Sequence, residues 1–554
     1  MAAQVPFSEP PWLAGLPSAY YKETHKRWQK ACRAFLEEHL LPYAVEWERE
    51  ETVPDHLQPT FAKANMLIPN LPAPLPVEWL HKLGIRDILG TPVEEWDYLH
   101  TGIYLDEMAR AGIAGPAASM TAGHAFGIPP IIKFGSRELQ EKFLPDLLPG
   151  KKRACIAITE PSAGSDVANI STTAVKTPDG KHYIINGEKK WITNGIWSDY
   201  TALAVRTGGP GARGLSLIVC PLKGYPGVTM RRLKVAGQIS AGTTYIELDD
   251  VKVPVENLIG EEGKGMTYIM TNFNHERLTI AVGVTRQSRV ALSSAFEYVM
   301  KREAFGKPLI AQPVVRHRLA KAGAELETLQ AWVDQFLYQM TQLKKEEADF
   351  KLGGLTALAK AKAGMVLNEC AQTAVLLFGG NGYTRTGQGE IAEKIYREVP
   401  GARIPGGSED VLLDLAVRQL VKLYLKALAD VELSVEDAKK LAEAAKFPPQ
   451  GKKGVTLQVE ASAKVDGIDV LFTGLWDIGN NLGYPVTVTG EFAPELKAAI
   501  VRILKAAHNA AKKAGIYCLS GEFARRYADQ GFQISIADAM TVLPTFMTNS
   551  LSQA

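Results

Sequence analysis

AITEPSAGSDVAN, residues 157–169, and YIINGEKKWITNG, residues 183–195, are short runs of β-forming residues broken by Gly, Pro and Asp. With LSLIVCPL (215–222) and TTYIELDDVKV (243–253) further on, they predict a sheet domain of short strands and tight turns. The first stretch sets Thr159, Ser162 and Ser165 around a turn at the end of a strand, and by itself it is an ordinary Gly/Ser turn. The second puts Trp191 and Thr193 on a strand, where such residues usually pack into a core.

On either side the hydrophobic period changes from two to about 3.6. HKRWQKACRAFLEEHLLPYAVEWEREE (25–51) predicts amphipathic helix, interrupted further on by NLPAPLP (70–76). HERLTIAVGVTRQSRVALSSAFEYVMKREAF (275–305) and LTALAKAKAGMVLNECAQTAVLLFGG (355–380) predict long helices that continue to about Lys426. Beyond a seam near Ala427–Leu433 the texture becomes strand, helix, strand, as in VDGIDVLFTG (465–474) and AAIVRILKAAHNAAKKAGIYCLS (498–520), which predicts βα units of a parallel sheet or barrel. There is no internal repeat and no Gly/Ser tether.

A length of 554 residues requires several domains, and 46% hydrophobic with 22% charged residues is an ordinary globular composition. The formal charge of +2 is spread without a basic block, which argues against nucleic acid or an anionic membrane as partner and favours a small molecule. Five scattered cysteines without a CxxC pair argue against a disulfide framework and a structural zinc site. No apolar run is long enough to span a bilayer, the start MAAQVPFSEPPW resembles neither a signal nor a transit peptide, and the final SQA is not the common peroxisomal address. The compartment stays open.

The two opening segments, at this separation, resemble the flavin-contacting motifs of the acyl-CoA dehydrogenase family. REAFGKP (302–308), LLFGGNGY (376–383) and ARIPGGSED (402–410) follow in the family's order, so that the resemblance spans about 20–426. It implies an α+β multidomain chain: an all-α N-terminal domain (1–153), a middle β-barrel-like domain (154–265) and an α-helical bundle C-terminal domain (266–428). It also implies FAD, an acyl-CoA substrate, an electron acceptor such as electron-transferring flavoprotein, and a homodimer or homotetramer. Ile158, Thr159 and Ser165 would line flavin and acyl-CoA, Trp191 would pack on the isoalloxazine, and Thr193 would bond near N5. Arg302 and Phe305, with Gly379 and Gly380 from a neighbouring subunit, would hold the adenine and pyrophosphate end, while Ser408 and Asp410 flank the ribityl and diphosphate. Leu376 and Pro313 stand where the family often has Gln.

The reaction such a site runs needs a carboxylate in a dry pocket to take the α-proton, and hydrogen bonds to the thioester oxygen. Most of the family carries that Glu in a YEGT-like motif; here the stretch reads PGGS, with Gly406 at the position. Glu276 in FNHERLTIA matches the alternative base of the isovaleryl-CoA and long-chain branches, and this paired loss and gain singles it out from the solvated helical Glu it otherwise resembles. The Gly406 N–H remains to polarise the thioester oxygen beside the ribityl hydroxyl. Asn274 and Arg277 fall where the family contacts the CoA portion, Arg277 having a structural reading as well. His275 is expected to be an ordinary surface histidine, on a different helix face from Glu276.

Residues 429–554 resemble part of an HpcH/HpaI aldolase, a partial (β/α) barrel in which Glu460 and Asp477 correspond to the family's metal ligands. The first half of the barrel and the family's catalytic His have no counterpart, so no metal site is assigned. Two alternatives to a dehydrogenase stand beside it: an acyl-CoA-binding flavoprotein without turnover, and a bifunctional fusion with lyase activity.

Overall fold

The computed structural model describes residues 4–430, 470–473, 494–518 and 521–536, and the chain divides into two compact units, 1–423 and 424–554. In the first unit, helix α1 (Glu23–His39) buries His25, Trp28, Gln29, Cys32 and Leu36, a spacing of three and four that lays them on one face. Helix α2 (Tyr98–Met108) begins at Asp97, whose carboxylate accepts the Leu99 and His100 N–H groups, and it is buried around most of its circumference.

Eight strands follow: β1 (Ala154–Ala157), β2 (Thr173–Lys176), β3 (His182–Ile192), β4 (Tyr200–Arg206), β5 (Leu215–Pro221), β6 (Val228–Arg232), β7 (Thr244–Pro254) and β8 (Leu258–Ile259). Their order is β8-β5-β4-β2-β3-β7-β6, with β1 pairing parallel to β4. β5 is buried on both faces, as its mostly apolar run LSLIVCP requires, whereas β7 alternates buried and exposed residues along much of its length. The β3–β7 register slips twice, the second time between Lys189 and Ile192. That slip releases Trp191 from the ladder with φ 67°, a left-handed conformation unusual for a bulky residue.

The bundle is formed by α3 (Phe273–Lys301), α4 (Pro313–Gln342), α5 (Lys345–Phe378), α6 (Glu390–Arg403) and α7 (Glu409–Asp430), with the hairpin β9 (Glu303–Ala304) and β10 (Lys307–Pro308) after α3. Helices α3 and α5 run parallel. Near the start of α3 Asn274 Oδ1 accepts the Thr356 hydroxyl of α5 at 2.9 Å, and at the C-terminal ends of both helices the rings of Tyr298 and Phe378 lie 4.4 Å apart. Small residues on α5 admit its neighbours: a Cβ on Gly354 would lie 2.9 Å from the Ala416 carbonyl, and one on Gly364 would lie 2.8 Å from Arg403 Cγ. Pro313 occupies the first turn of α4, where a missing N–H costs nothing.

In the second unit β11 (Val470–Thr473), α8 (Pro494–Asn509), β12 (Lys513–Tyr517), α9 (Gly521–Asp529) and β13 (Ile534–Ile536) form a three-stranded parallel sheet with intervening helices. The predicted βα pattern is present there, and no barrel closes among the described residues. Glu460 and Asp477 lie outside the described residues. The five cysteines are buried and take part in no disulfide, and no described helix is long and apolar enough to cross a membrane.

Each unit has a core of its own among the described residues: Leu496, Ile500, Ala507, Ile516 and Phe532 cluster in the second, and the clusters of the first run as far as Ala416. A chain ending at Asp430 is therefore expected to unfold cooperatively with the same midpoint as the first unit in the full chain. Calorimetry of both proteins checks it, and a lowered midpoint in the shorter chain would mean that the second unit supports the first.

Candidate functional site

The two motifs of the sheet are stitched side to side. The Ile158 carbonyl accepts Lys189 Nζ at 3.0 Å, and the Thr159 carbonyl accepts the Lys190 N–H at 2.9 Å. Behind them Lys189 Nζ donates to Glu160 Oε1 at 2.8 Å, both side chains fully buried. Glu160 also accepts the Ser171 N–H at 2.6 Å, the Thr172 N–H at 2.9 Å, and both hydroxyls. Burial alone would raise its carboxyl, but Lys189 and these donors outweigh burial and hold it at about 2; burial draws the Lys189 ammonium down to about 8. In front of this block Trp191 leaves half its surface exposed, 52%, with Lys190 Nζ 4.7 Å from its ring centre. Thr193 follows it, Ile158 and Thr159 are half-buried, and Ser165 is exposed on the turn.

Glu276 lies in the first turn of α3 and Gly406 in the turn between α6 and α7, yet the fold brings them together. A Cβ on Gly406 would sit 3.7 Å from Glu276 Oε1 and 2.7 Å from Ile280 Cδ1. Gly406 has φ 69°, and its N–H meets no acceptor among the described residues. Burial raises the Glu276 carboxyl to about 6, against the opposing charges of Arg277 and Lys360. Lys360 reaches from α5 to the same turn, donating to the Arg403 carbonyl at 2.7 Å and the Gly407 carbonyl at 2.6 Å. Ser408 and Asp410 follow, Ser408 accepting the Leu412 N–H at 2.9 Å to open α7, and Asp410 exposed.

The flanking residues are more deeply placed than expected. Asn274 is buried, its amide Nδ2 donating to the Ala348 carbonyl at 3.3 Å in addition to the Thr356 bond. Arg277 is buried with its guanidinium 5.1 Å from the Phe273 ring centre and Nε unpartnered. His275 is not a surface residue. Its Nε2 lies 3.0 Å from the Asn70 carbonyl, beneath the Pro-rich 70–76 segment, and burial depresses its imidazole to about 3, keeping it neutral.

Arg302 and Phe305 stand at the opposite end of the bundle, on and beside the β9–β10 hairpin, with Gly379 and Gly380 just past α5. Phe305 has φ 57° and is 93% exposed; Tyr383 and Leu376 are exposed beside the glycines, and nothing lies within 4 Å of a Cβ on either glycine. Three large apolar side chains are thus exposed at this end of the bundle.

A second buried carboxylate joins the sheet to the bundle. Glu398 on α6 accepts the Ala114 N–H at 2.9 Å, Gln287 Nε2 at 2.8 Å and the Gln238 N–H at 3.3 Å. Glu48 accepts the Ile239 N–H at 2.7 Å and the Ser240 N–H at 3.2 Å from the same turn. Burial and the charge of Glu48 push Glu398 up to about 8. The turn in question ends at Ala241, whose carbonyl accepts the Asn194 N–H at 3.0 Å, next to Thr193. Glu48, Glu160, Lys189, Lys360 and Glu398 were not singled out by sequence; each is a charged residue whose neighbours in sequence read like those of many solvated positions.

The chain matches the family models for the acyl-CoA dehydrogenase N-terminal domain over residues 22–151, the middle domain over 155–251 and the C-terminal domain over 263–421. It is 76% identical over 422 residues to acyl-CoA dehydrogenase apdG of Emericella nidulans, covering 76% of this chain and 96% of the relative. It is 30% identical to the mitochondrial long-chain specific acyl-CoA dehydrogenase of Mus musculus, over 72% of this chain and 87% of that one. Among solved structures, an acyl-CoA dehydrogenase from Geobacillus kaustophilus superposes with a TM-score of 0.64 at 31% identity, over 73% of this chain and 100% of the other.

Glu160→Gln leaves Lys189 buried without its counter-charge, so the variant is expected to lose about 3–5 kcal/mol of stability in denaturant titration. The Glu160 carboxyl is depressed from 4.5 to about 2, so its contribution is complete above pH 4.5 and fades as pH falls towards 2. A variant as stable as the parent at pH 7 would rule out the pair as the support of this wall.

Proposed function

The chain belongs to the acyl-CoA dehydrogenase family, and from that membership we propose that Glu276 is the base that removes the α-proton and that the Gly406 N–H binds the thioester oxygen. The enzyme is an FAD-dependent dehydrogenase that forms an α,β double bond in an acyl-CoA. The observation that carries the assignment is the approach of Glu276 Oε1 to the place a Gly406 side chain would fill. A carboxylate entering there from α3 stands in for one that the 402–410 turn lacks. Its raised value of about 6 makes it a stronger base than an ordinary carboxylate while leaving it ionised at neutral pH.

The residues fit a flavin. Trp191 offers an open ring face on a strand irregularity fixed from behind by Glu160 and Lys189, and Thr193 is a polar neighbour to it. When bound, FAD supplies the N5 acceptor for the β-hydrogen that leaves as hydride. Arg277, buried beside Glu276 with Nε free, and Ser165, exposed on its turn, are read as groups on the acyl-CoA path. Asn274 acts by fixing the start of α3 against α5.

Arg302, Phe305, Gly379 and Gly380 are read as the adenine and pyrophosphate site of another copy's flavin. Along α3 the rise from Glu276 to Arg302 is about 39 Å, beyond the reach of one dinucleotide. The exposed Phe305, Leu376 and Tyr383 supply a surface for that copy, in a homodimer or homotetramer. Electrons pass on to a soluble carrier such as electron-transferring flavoprotein. The second unit keeps the reading of a partial aldolase-like segment, on the strength of its parallel strand and helix alternation, with no lyase activity.

Phe305→Asp places a charge on the proposed contact and is expected to yield smaller particles with little flavin, in ultracentrifugation with absorbance at the flavin band. A monomeric parent that keeps its full flavin would defeat the shared-site reading.

Glu276→Gln keeps the shape of the base without its basicity, and it is expected to slow anaerobic flavin bleaching by acyl-CoA by roughly two to four orders of magnitude with flavin retained. In the parent, kcat/KM should fall about tenfold per pH unit below pH 6, where the carboxylate takes up its proton. Near-normal bleaching by the variant would remove Glu276 from the role.

A further inference from the structure

We propose that Lys360 is a positioning residue that fixes the oxyanion donor against the base, its ammonium tying the carbonyls on both sides of Gly406 to the helix that packs beside Glu276. The proposal rests on the reading of Glu276 and Gly406 as the reacting pair. Lys360 is 1% exposed, on α5 beside the buried Ala357, Ala359, Ala361 and Ala363. An ammonium is costly to bury unless its donors are used. Two of its three donors are, by the carbonyls of Arg403 at 2.7 Å and Gly407 at 2.6 Å, so the turn 403–407 is spanned by one cation. The Arg403–Glu409 pair bridges the same turn from outside, while Lys360 holds it from the α5 side, where Gly406 and Gly407 both have left-handed φ, 69° and 100°.

The same cation acts on the base. The charges facing Glu276 are Arg277 from its own helix and Lys360 from α5. Those facing Lys360 are Glu276 and Arg277 from α3 and Glu409 from the start of α7. Glu409 is itself held by Arg403, whose Nε donates to Oε2 at 2.9 Å. Loss of the ammonium leaves Arg277 as the remaining cation acting on Glu276, so the base should protonate at higher pH. One residue thereby governs two properties of the site, the place of the thioester oxygen and the strength of the base, and a purely structural lysine would not couple them.

The test compares the parent with Lys360→Met, Lys360→Arg and Glu276→Gln as purified flavoproteins, following anaerobic bleaching by an acyl-CoA as a function of pH. Lys360→Met should keep its flavin, bleach roughly 100-fold more slowly, as a displacement of about 1 Å can cause, and show its pH midpoint above the parent's. Lys360→Arg should retain the parent's midpoint, because the charge remains, and still be slow, because a planar fork cannot meet both carbonyls as an ammonium does. A Lys360→Met protein with the parent's rate or an unmoved midpoint overturns the proposal, and so does a Lys360→Arg protein with the parent's rate or a moved midpoint. Should Lys360→Met fail to fold, Lys360→Arg decides alone by the same criteria. Rapid bleaching by Glu276→Gln would instead overturn the base assignment, whereas an inert Glu276→Gln beside a normal Lys360→Met overturns the role of Lys360 only.

Discussion

The parallel packing of α3 against α5 is the contact on which the remainder of the site depends. Asn274 and Thr356 lock one end and Tyr298 and Phe378 the other, so the register of the two helices is set over their whole shared length. Because α5 carries Gly354 and Gly364 at the approach points, α7 and the residue before the 404–408 turn come close enough for that turn to meet the first turn of α3. A methyl group at either glycine would push the partner backbone or side chain away. The proximity of Glu276 and Gly406, separated by most of the bundle in sequence, follows from small residues that themselves do no chemistry.

The sheet side of the site is built on a different principle. There a dry ion pair and a ring of donors hold two strands in a conformation that the ladder would not choose, with Trp191 out of register. Every lone pair of Glu160 is addressed by a donor, which is the condition under which a buried charge rigidifies its surroundings. The bundle side keeps its carboxylate less well compensated, and that imbalance is what leaves Glu276 basic.

Much of this was legible in the sequence, and the reasons differ from residue to residue. The alternation of helix, sheet and helix was readable because period and turn residues change sharply near Arg153 and Gly265. Trp191 and Glu276 were put forward from their motifs, not from their local surroundings, which taken singly describe a core Trp and a surface Glu. His275 was misread because helical periodicity alone ignores the 70–76 segment that folds over the start of α3. Lys360, Glu160 and Glu398 were invisible for a related reason: whether a charged side chain is solvated or buried depends on what arrives from elsewhere in the chain, and no window of one sequence contains both partners.

Closing the Glu48 and Glu398 junction is coupled to proton uptake at Glu398. Glu398 titrates near 4.5 in an open chain and near 8 when buried, so between those values the folded form carries a proton that the unfolded form has released. Mass action then favours the assembled junction in mildly acidic solution and progressively less as pH climbs to about 8, where the proton is surrendered. The clasp that joins the Asn194–Ala241 contact to α6 is thus weakened by alkali, at the seam where the sheet meets the bundle.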